Sequence, residues 1–442
     1  MENMTEPPIY VPWYKRIGPG LITACVVIGP GSITTSSEVG ATNAYSRIWI
    51  VVVSVIFMLT YMMMGAKLGV VTNQSPCDLI RKKVGSWLAI LLGACVFFIS
   101  AAFQSGNNIG VAGAFEAFID SKTVVAILLV IFNAIAISFL FAFKDMYKML
   151  ERAMMAFVGL MLLSFAVNLV MLKPDLSALA AGFIPSSGGI NLTILGLMGT
   201  TFVITAAFYQ SYLVQQKGWN ESQLQNGLTD AKVGSVIMAL ITIMLMSTAA
   251  AALYQGGKPV AFKNIVEIAD GLNTTFGPSA KIIFCLGLFS AAYSSFIVNS
   301  MIGGFILSDG LGLGSKPTDL WPRLFTTFAL LTGMVIGIAV IRFDFDRAPT
   351  IIAAQAVTVV GAPLVAGVLF WLTSQTDIMG RHVNKPVITT LAGIGLMVLL
   401  GMAGNTAVKL YDKFQQQPAV EKKSAMHATT GLPQVEELQS HL

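Results

Sequence analysis

Long apolar runs alternate along the chain with short polar stretches, and the runs set the element count. Eleven are predicted as helical spans, at approximately 18–41, 46–71, 88–117, 123–142, 153–172, 191–214, 231–254, 280–307, 320–342, 350–373 and 387–409. Each reaches the roughly 18 residues that mark a bilayer-crossing helix. The pattern therefore predicts an all-α integral membrane protein. The expected organisation is a cytoplasmic N-terminus at 1–17, a first repeat at 18–172, a second at 191–373, a further helix at 387–409 and a disordered polar tail at 411–442.

Composition supports the pattern. Charged residues make up 11% of the 442 positions and mean hydropathy is +0.74, whereas a soluble domain carries about 25% charge. A soluble enzyme, a disordered chain and a secreted disulfide scaffold are excluded. Cys25, Cys77, Cys95 and Cys285 have no CxxC spacing and read as packing residues. His382, His427 and His441 lie in a loop and the tail, so no histidine cluster is expected inside the membrane. The N-terminus lacks the pattern of a removable signal peptide. No Ser/His/Asp set or phosphate loop points to an enzyme, no cofactor is implied, and a net charge of +5 gives no argument for nucleic acid.

Loop charge predicts orientation. With the N-terminus inside, fifteen Lys and Arg fall in inner segments, including Arg81-Lys82-Lys83, against eight in outer loops. That places the chain in the inner (plasma) membrane as a multi-pass protein, N-terminus cytoplasmic and, with an odd span count, C-terminus external.

Two spans are interrupted. The first reads GPGLITACVVIGPGSITTSSEVGA from Gly18, with Gly29-Pro30-Gly31-Ser32 at mid-depth and hydroxyls behind it. Proline removes a backbone donor and glycine admits unusual dihedrals, so the helix is expected to break there. Open backbone at that depth must be buried in protein or line a cavity. The sixth span, ILGLMGTTFVITAAFYQSYLVQ, is also small and hydroxyl-rich at its middle. Interrupted helices at matching places in two halves of five spans predict a secondary transporter with inverted repeats.

These segments resemble the NRAMP family of divalent-metal transporters. The first span is similar to that family's first helix, AKLGVVTNQSPCDLI from Ala66 to the loop after the second, AAYSSFIVNSMIGGFIL from Ala291 to the eighth helix, and MGRHVNKP from Met379 to the last inner loop. The resemblance implies a LeuT-like fold, two inverted five-helix repeats plus one extra helix, with the substrate between helices one and six and alternating access. It also exposes departures. Gly29, Ser32 and Val203 stand where the family has its Asp, Asn and Met metal ligands, and Gln104 and Asn107 where it has carboxylates on a proton path.

No Asp, Glu, Lys, Arg or His falls near the centre of a predicted span; Glu38, Glu116 and Asp309 lie toward span ends and are expected to face water or cap helices. Moving a unit charge into a low-dielectric interior costs on the order of 20 kcal/mol, and the cost rises with the square of the charge. A site of neutral groups thus suits a neutral solute, a screened anion, or a cation that keeps its water. Mg²⁺ keeps its water readily, and the departures resemble those of the NRAMP-related magnesium transporters. The expected cargo is hydrated Mg²⁺, with Mn²⁺ also accepted, moved without proton coupling. The alternative is a carrier of a small organic acid or amino acid on the same scaffold; a channel is less favoured because no filter repeat is present.

The expected substrate-binding residues are Gly29, Pro30, Gly31, Ser32, Thr200, Val203, Ala206 and Gln355. Gln104, Asn107, Thr205 and Tyr209 are expected along a polar pathway, and Ser32 and Gly29 to meet the metal through water or backbone. Each has a structural alternative: a kink at Pro30, a serine bonded to its own backbone, and inter-helix hydrogen bonds for the amides. Met62-Met63-Met64 points around a helix and is expected to contact core or lipid.

Overall fold

A computed structural model describes residues 17–142, 145–186 and 192–430. All regular structure among them is helical. The elements are α1 (Pro19–Val27), α2 (Pro30–Asn43), α3 (Ile48–Thr72), α4 (Pro76–Lys83), α5 (Ser86–Glu116), α6 (Lys122–Ala142), α7 (Met146–Leu172), α8 (Leu176–Ala181) and α9 (Leu192–Thr201). They continue with α10 (Ile204–Gln216), α11 (Leu224–Leu253), α12 (Ile265–Phe276), α13 (Pro278–Gly310), α14 (Leu320–Arg342), α15 (Arg347–Ser374), α16 (Thr376–Met379) and α17 (Pro386–Thr430).

Ten helices among the described residues are long and apolar enough to cross a bilayer, and the bent pair α1–α2 makes an eleventh. Five crossings, α1–α2 through α7, precede five more, α9–α10 through α15. An odd number per half turns the second half over relative to the first. α5 of the first half packs along α13 of the second, α3 along α10 and α11, and α2 along α9 and α11.

Burial sorts the crossings. Every residue from Ile17 to Ala41 is buried, so α1 and α2 form the axis of the bundle. By contrast α6, α14 and α17 expose Ile127, Phe328 and Met397 as lipid-facing helices do. Small residues admit the close crossings: an added Cβ on Gly110 of α5 would meet the Pro30 ring, and one on Gly40 the Met246 carbonyl.

Two expectations are corrected. The polar tail read as disordered from 411 is helical to Thr430, in keeping with its Lys, Gln, Glu and Ala content. The seventh crossing begins at Leu224 rather than 231, which brings Asp230 inside the helix.

Candidate functional site: a neutral break in the first crossing

The break lies at Ile28 and Gly29. Gly29 is the N-cap of α2 in an extended conformation (φ −116°, ψ −176°), Pro30 occupies the first turn, and the two halves bend by 58°. Proline fits there because the first-turn N–H has no helical partner to lose. The sixth crossing is interrupted at Phe202 and Val203, with Val203 the N-cap of α10.

Hydroxyls join the two interruptions. Ser32 Oγ donates to the Val27 carbonyl at 2.5 Å and faces the Thr200 carbonyl at 3.1 Å, while the Thr35 and Thr200 hydroxyls lie 3.1 Å apart. The backbone bond expected as the alternative for Ser32 therefore exists, and it spans the break. On the other side, Ser295 Oγ of α13 donates to the Val26 carbonyl at 3.2 Å.

Next to Gly29 stands an amide network. Gln104 Nε2 donates to the Phe296 carbonyl at 3.0 Å, and Asn107 Nδ2 donates to Gln104 Oε1 at 3.1 Å. Asn299 Nδ2 donates to the Ser100 carbonyl at 2.9 Å and reaches Gln104 Oε1 at 3.4 Å. Asn108 and Asn133 extend the network across to α6. Asn107 is fully buried and its Oδ1 has no hydrogen-bond partner among the described residues. A buried acceptor left in that state costs about 1–3 kcal/mol.

The predicted residues divide. Gly29, Pro30, Gly31, Ser32, Thr200 and Asn107 meet at the first break. Val203, Thr205 and Ala206 are buried at the start of α10, which packs on α1, α3 and α13. Tyr209, one turn on, stacks on Tyr212 at 5.6 Å and meets Phe305 edge-on at 6.0 Å. Past these rings a cavity of about 630 Å³ opens, lined by Gln74, Asp78, Tyr212, Gln215 and Lys316 among others. The side chain of Gln355, on α15, lies outside the described residues. Met62 is buried and accepts from Ser235 Oγ at 3.4 Å, a core contact.

One carboxylate escaped the sequence reading, and a second was foreseen only in part. Asp230 is fully buried and accepts from the Gly18 and Gly20 N–H groups at 2.7 and 2.6 Å and from Gln210 Nε2 at 3.1 Å; Thr23 Oγ1 donates to Gln210 Oε1 at 2.5 Å. It fastens the start of α1, where a negative charge is favoured by the helix dipole. The signal available was its place four residues before the Gly234 that lets α11 meet Gly20. Asp309, expected to face water or cap a helix, is buried and caps the start of α4. It accepts from Ser75 Oγ at 2.8 Å, Tyr212 Oη at 2.5 Å and the Cys77 N–H at 3.3 Å. Of the other acids, Glu38 accepts from the Phe262 N–H at 3.3 Å and Glu116 pairs with Arg347 at 2.7 Å; neither side chain is freely hydrated.

No group of three His, Cys, Asp or Glu able to hold a metal ion occurs among the described residues. A dehydrated divalent ion would find no charged ligand at the break, so what the lining can do is accept and donate hydrogen bonds.

The chain was compared with known proteins. The family pattern described as "natural resistance-associated macrophage protein-like" (Nramp) matches residues 20–409. The "divalent metal cation transporter MntH" of Deinococcus radiodurans is 23% identical over 401 residues, 88% of each chain. A crystal structure of the Eremococcus coleocola manganese transporter superposes with a TM-score of 0.76 at 17% identity, covering 96% of both chains. A transporter of the nucleobase-cation-symport-1 family shares the fold more distantly, with a TM-score of 0.54 at 14% identity over 90% of this chain and 93% of that one. The architecture is thus LeuT-like, with inverted five-helix halves.

Proposed function

Because the chain belongs to the Nramp family, we propose that it is a membrane carrier of divalent cations that passes Mg²⁺, and also Mn²⁺, with part of the water shell retained. The observation that supports this is the neutral break: Gly29, Ser32 and Asn107 meet where charged or soft ligands would be needed to strip an ion of water. Relatives carry names that state divalent metal or manganese transport. Magnesium is added by chemistry, since Mg²⁺ dehydrates reluctantly and usually keeps several waters when bound.

In this conformation the residues of the break are buried. Toward the Arg81 face the break is separated from the 630 Å³ cavity by the Tyr209–Tyr212 stack. Alternating access requires that stack and the start of α1 to part while the Glu116–Arg347 side stays shut. Proton coupling is not part of the cycle. Gln104 and Asn107 do not titrate near neutral pH, and Asp230 and Asp309 hold the starts of α1 and α4 rather than the break. The Arg81-Lys82-Lys83 end of α4 is cytoplasmic, following the charges between the spans. A cysteine replacing Lys82 in a cysteine-free variant should resist an impermeant thiol reagent in intact cells; labelling there would reverse the orientation.

The other cargo, a small organic acid, is favoured by one feature: α2 and α10 both begin at the interruptions, and helix starts attract carboxylates. Purified protein in liposomes loaded with a Mg²⁺-responsive dye decides between them. Saturable Mg²⁺ entry is expected. No divalent flux together with exchange of a labelled organic acid would establish the alternative.

A further inference from the structure

The polarity of the amide beside Gly29 is fixed from outside the site. The Phe296 carbonyl of α13 can only accept, so Gln104 must turn Nε2 toward it, at 3.0 Å. Gln104 Oε1 is then the atom presented to Asn107, which must answer with Nδ2, at 3.1 Å. Asn299, anchored on the Ser100 carbonyl, reinforces the same orientation of Gln104. What remains is Asn107 Oδ1, buried, without a partner among the described residues, and aimed at Gly29: it lies 3.4 Å from where a Cβ at position 29 would stand. Ser295 Oγ borders the same space at 3.0 Å, and its proton is committed to the Val26 carbonyl.

We infer that Asn107 is a specificity-determining ligand of the transported cation, held by the Phe296–Gln104 relay so that only an acceptor oxygen faces the break. The relay turns an amide, which can donate or accept, into a one-way group. An acceptor there takes a hydrogen bond from a metal-bound water or binds the ion itself, and it repels the oxygens of an organic acid. The assignment rests on the reading of the break as a cation path. It puts on α5 the oxygen that a side chain at Gly29 does not provide.

Two substitutions test it in liposomes with a Mg²⁺ dye, each checked as monodisperse after purification. Asn107→Leu removes the acceptor at similar volume and should raise the KM for Mg²⁺ about tenfold while the maximal rate stays within about twofold. Asn107→Asp keeps an acceptor and adds charge, so KM for Mn²⁺ and Ca²⁺ should fall and the rate should become pH-dependent, as a structural role alone would not produce. Wild-type Mg²⁺ flux with an unchanged KM in Asn107→Leu overturns the role of Asn107 and leaves the function standing. Should Asn107→Leu not fold, an unchanged ion preference and pH profile in Asn107→Asp overturns it equally. Absence of any divalent flux in the wild type overturns both.

Discussion

Asp230 and Asp309 are buried within the helices, yet both work at helix ends, while the α1–α2 break between the two halves of the fold holds only hydroxyls, amides and carbonyls. The parallel between the two acids is close. Each receives backbone N–H at a helix start, α1 for Asp230 and α4 for Asp309, and each also holds α10, through Gln210 at 3.1 Å and Tyr212 at 2.5 Å. These two acids fasten helix ends, and the break proposed to pass the cargo is neutral. Substitutions in the two regions should accordingly fail in different ways.

The largest effect on transport is expected from volume at the centre. Gly29 has an extended backbone open to any residue, and a Cβ there would sit 3.0 Å from Ser295 Oγ. Gly29→Val should therefore crowd Ser295 and Asn107 without straining the backbone, and Mg²⁺ uptake into liposomes should be nearly abolished with a smaller fall in the thermal midpoint than Asp230→Ala gives. Retained uptake beside an active Ser32→Ala would place the path elsewhere.

At the margin the order reverses, and stability is lost first. Asp230→Ala strips the Gly18 and Gly20 N–H groups and Gln210 of their acceptor, at a cost of roughly 3 kcal/mol. The thermal midpoint should fall by several degrees, and Asp230→Asn should recover part of the loss. If Asp230→Ala melts as the wild type does but no longer discriminates among ions, the acid belongs to the cargo site and the contrast between the regions fails.

The smallest effect concerns Ser32. Its hydroxyl bridges Val27 and Thr200, and water can replace part of that role. Ser32→Ala should cost roughly 0.5–1.5 kcal/mol, up to about tenfold in the Mg²⁺ concentration for half-maximal uptake. A dead Ser32→Ala beside an active Gly29→Val would mean direct coordination by the serine.

The neutral break was legible in the sequence, and the charged margin only in part. Pro30 between two glycines announces a break because it removes a donor where no water can replace it. Gln104 and Asn107 were visible as polar residues in an apolar run, but the direction in which Asn107 points depends on the Phe296 carbonyl, 189 positions away in the numbering of the same chain. Asp230 fell just before an apolar window starting at 231, and only the packing of α11 on α1 shows that the helix and its burial extend past that limit. The sixth interruption was foreseen from small residues, whereas its filling was not: Phe202 packs at 5.9 Å from Phe57 and 5.4 Å from Tyr61 of α3, so this break is an anchored wall. Aromatic packing between distant helices leaves no periodic signal in either one.

The central claim, that a hydrated divalent ion passes a neutral site without a proton, is tested most directly by recording Mg²⁺ and pH together inside the same liposomes. With an inward Mg²⁺ gradient and the membrane potential clamped, saturable Mg²⁺ entry with no acidification that tracks it is expected. An acid pulse that saturates with Mg²⁺ in step with its entry would contradict the account.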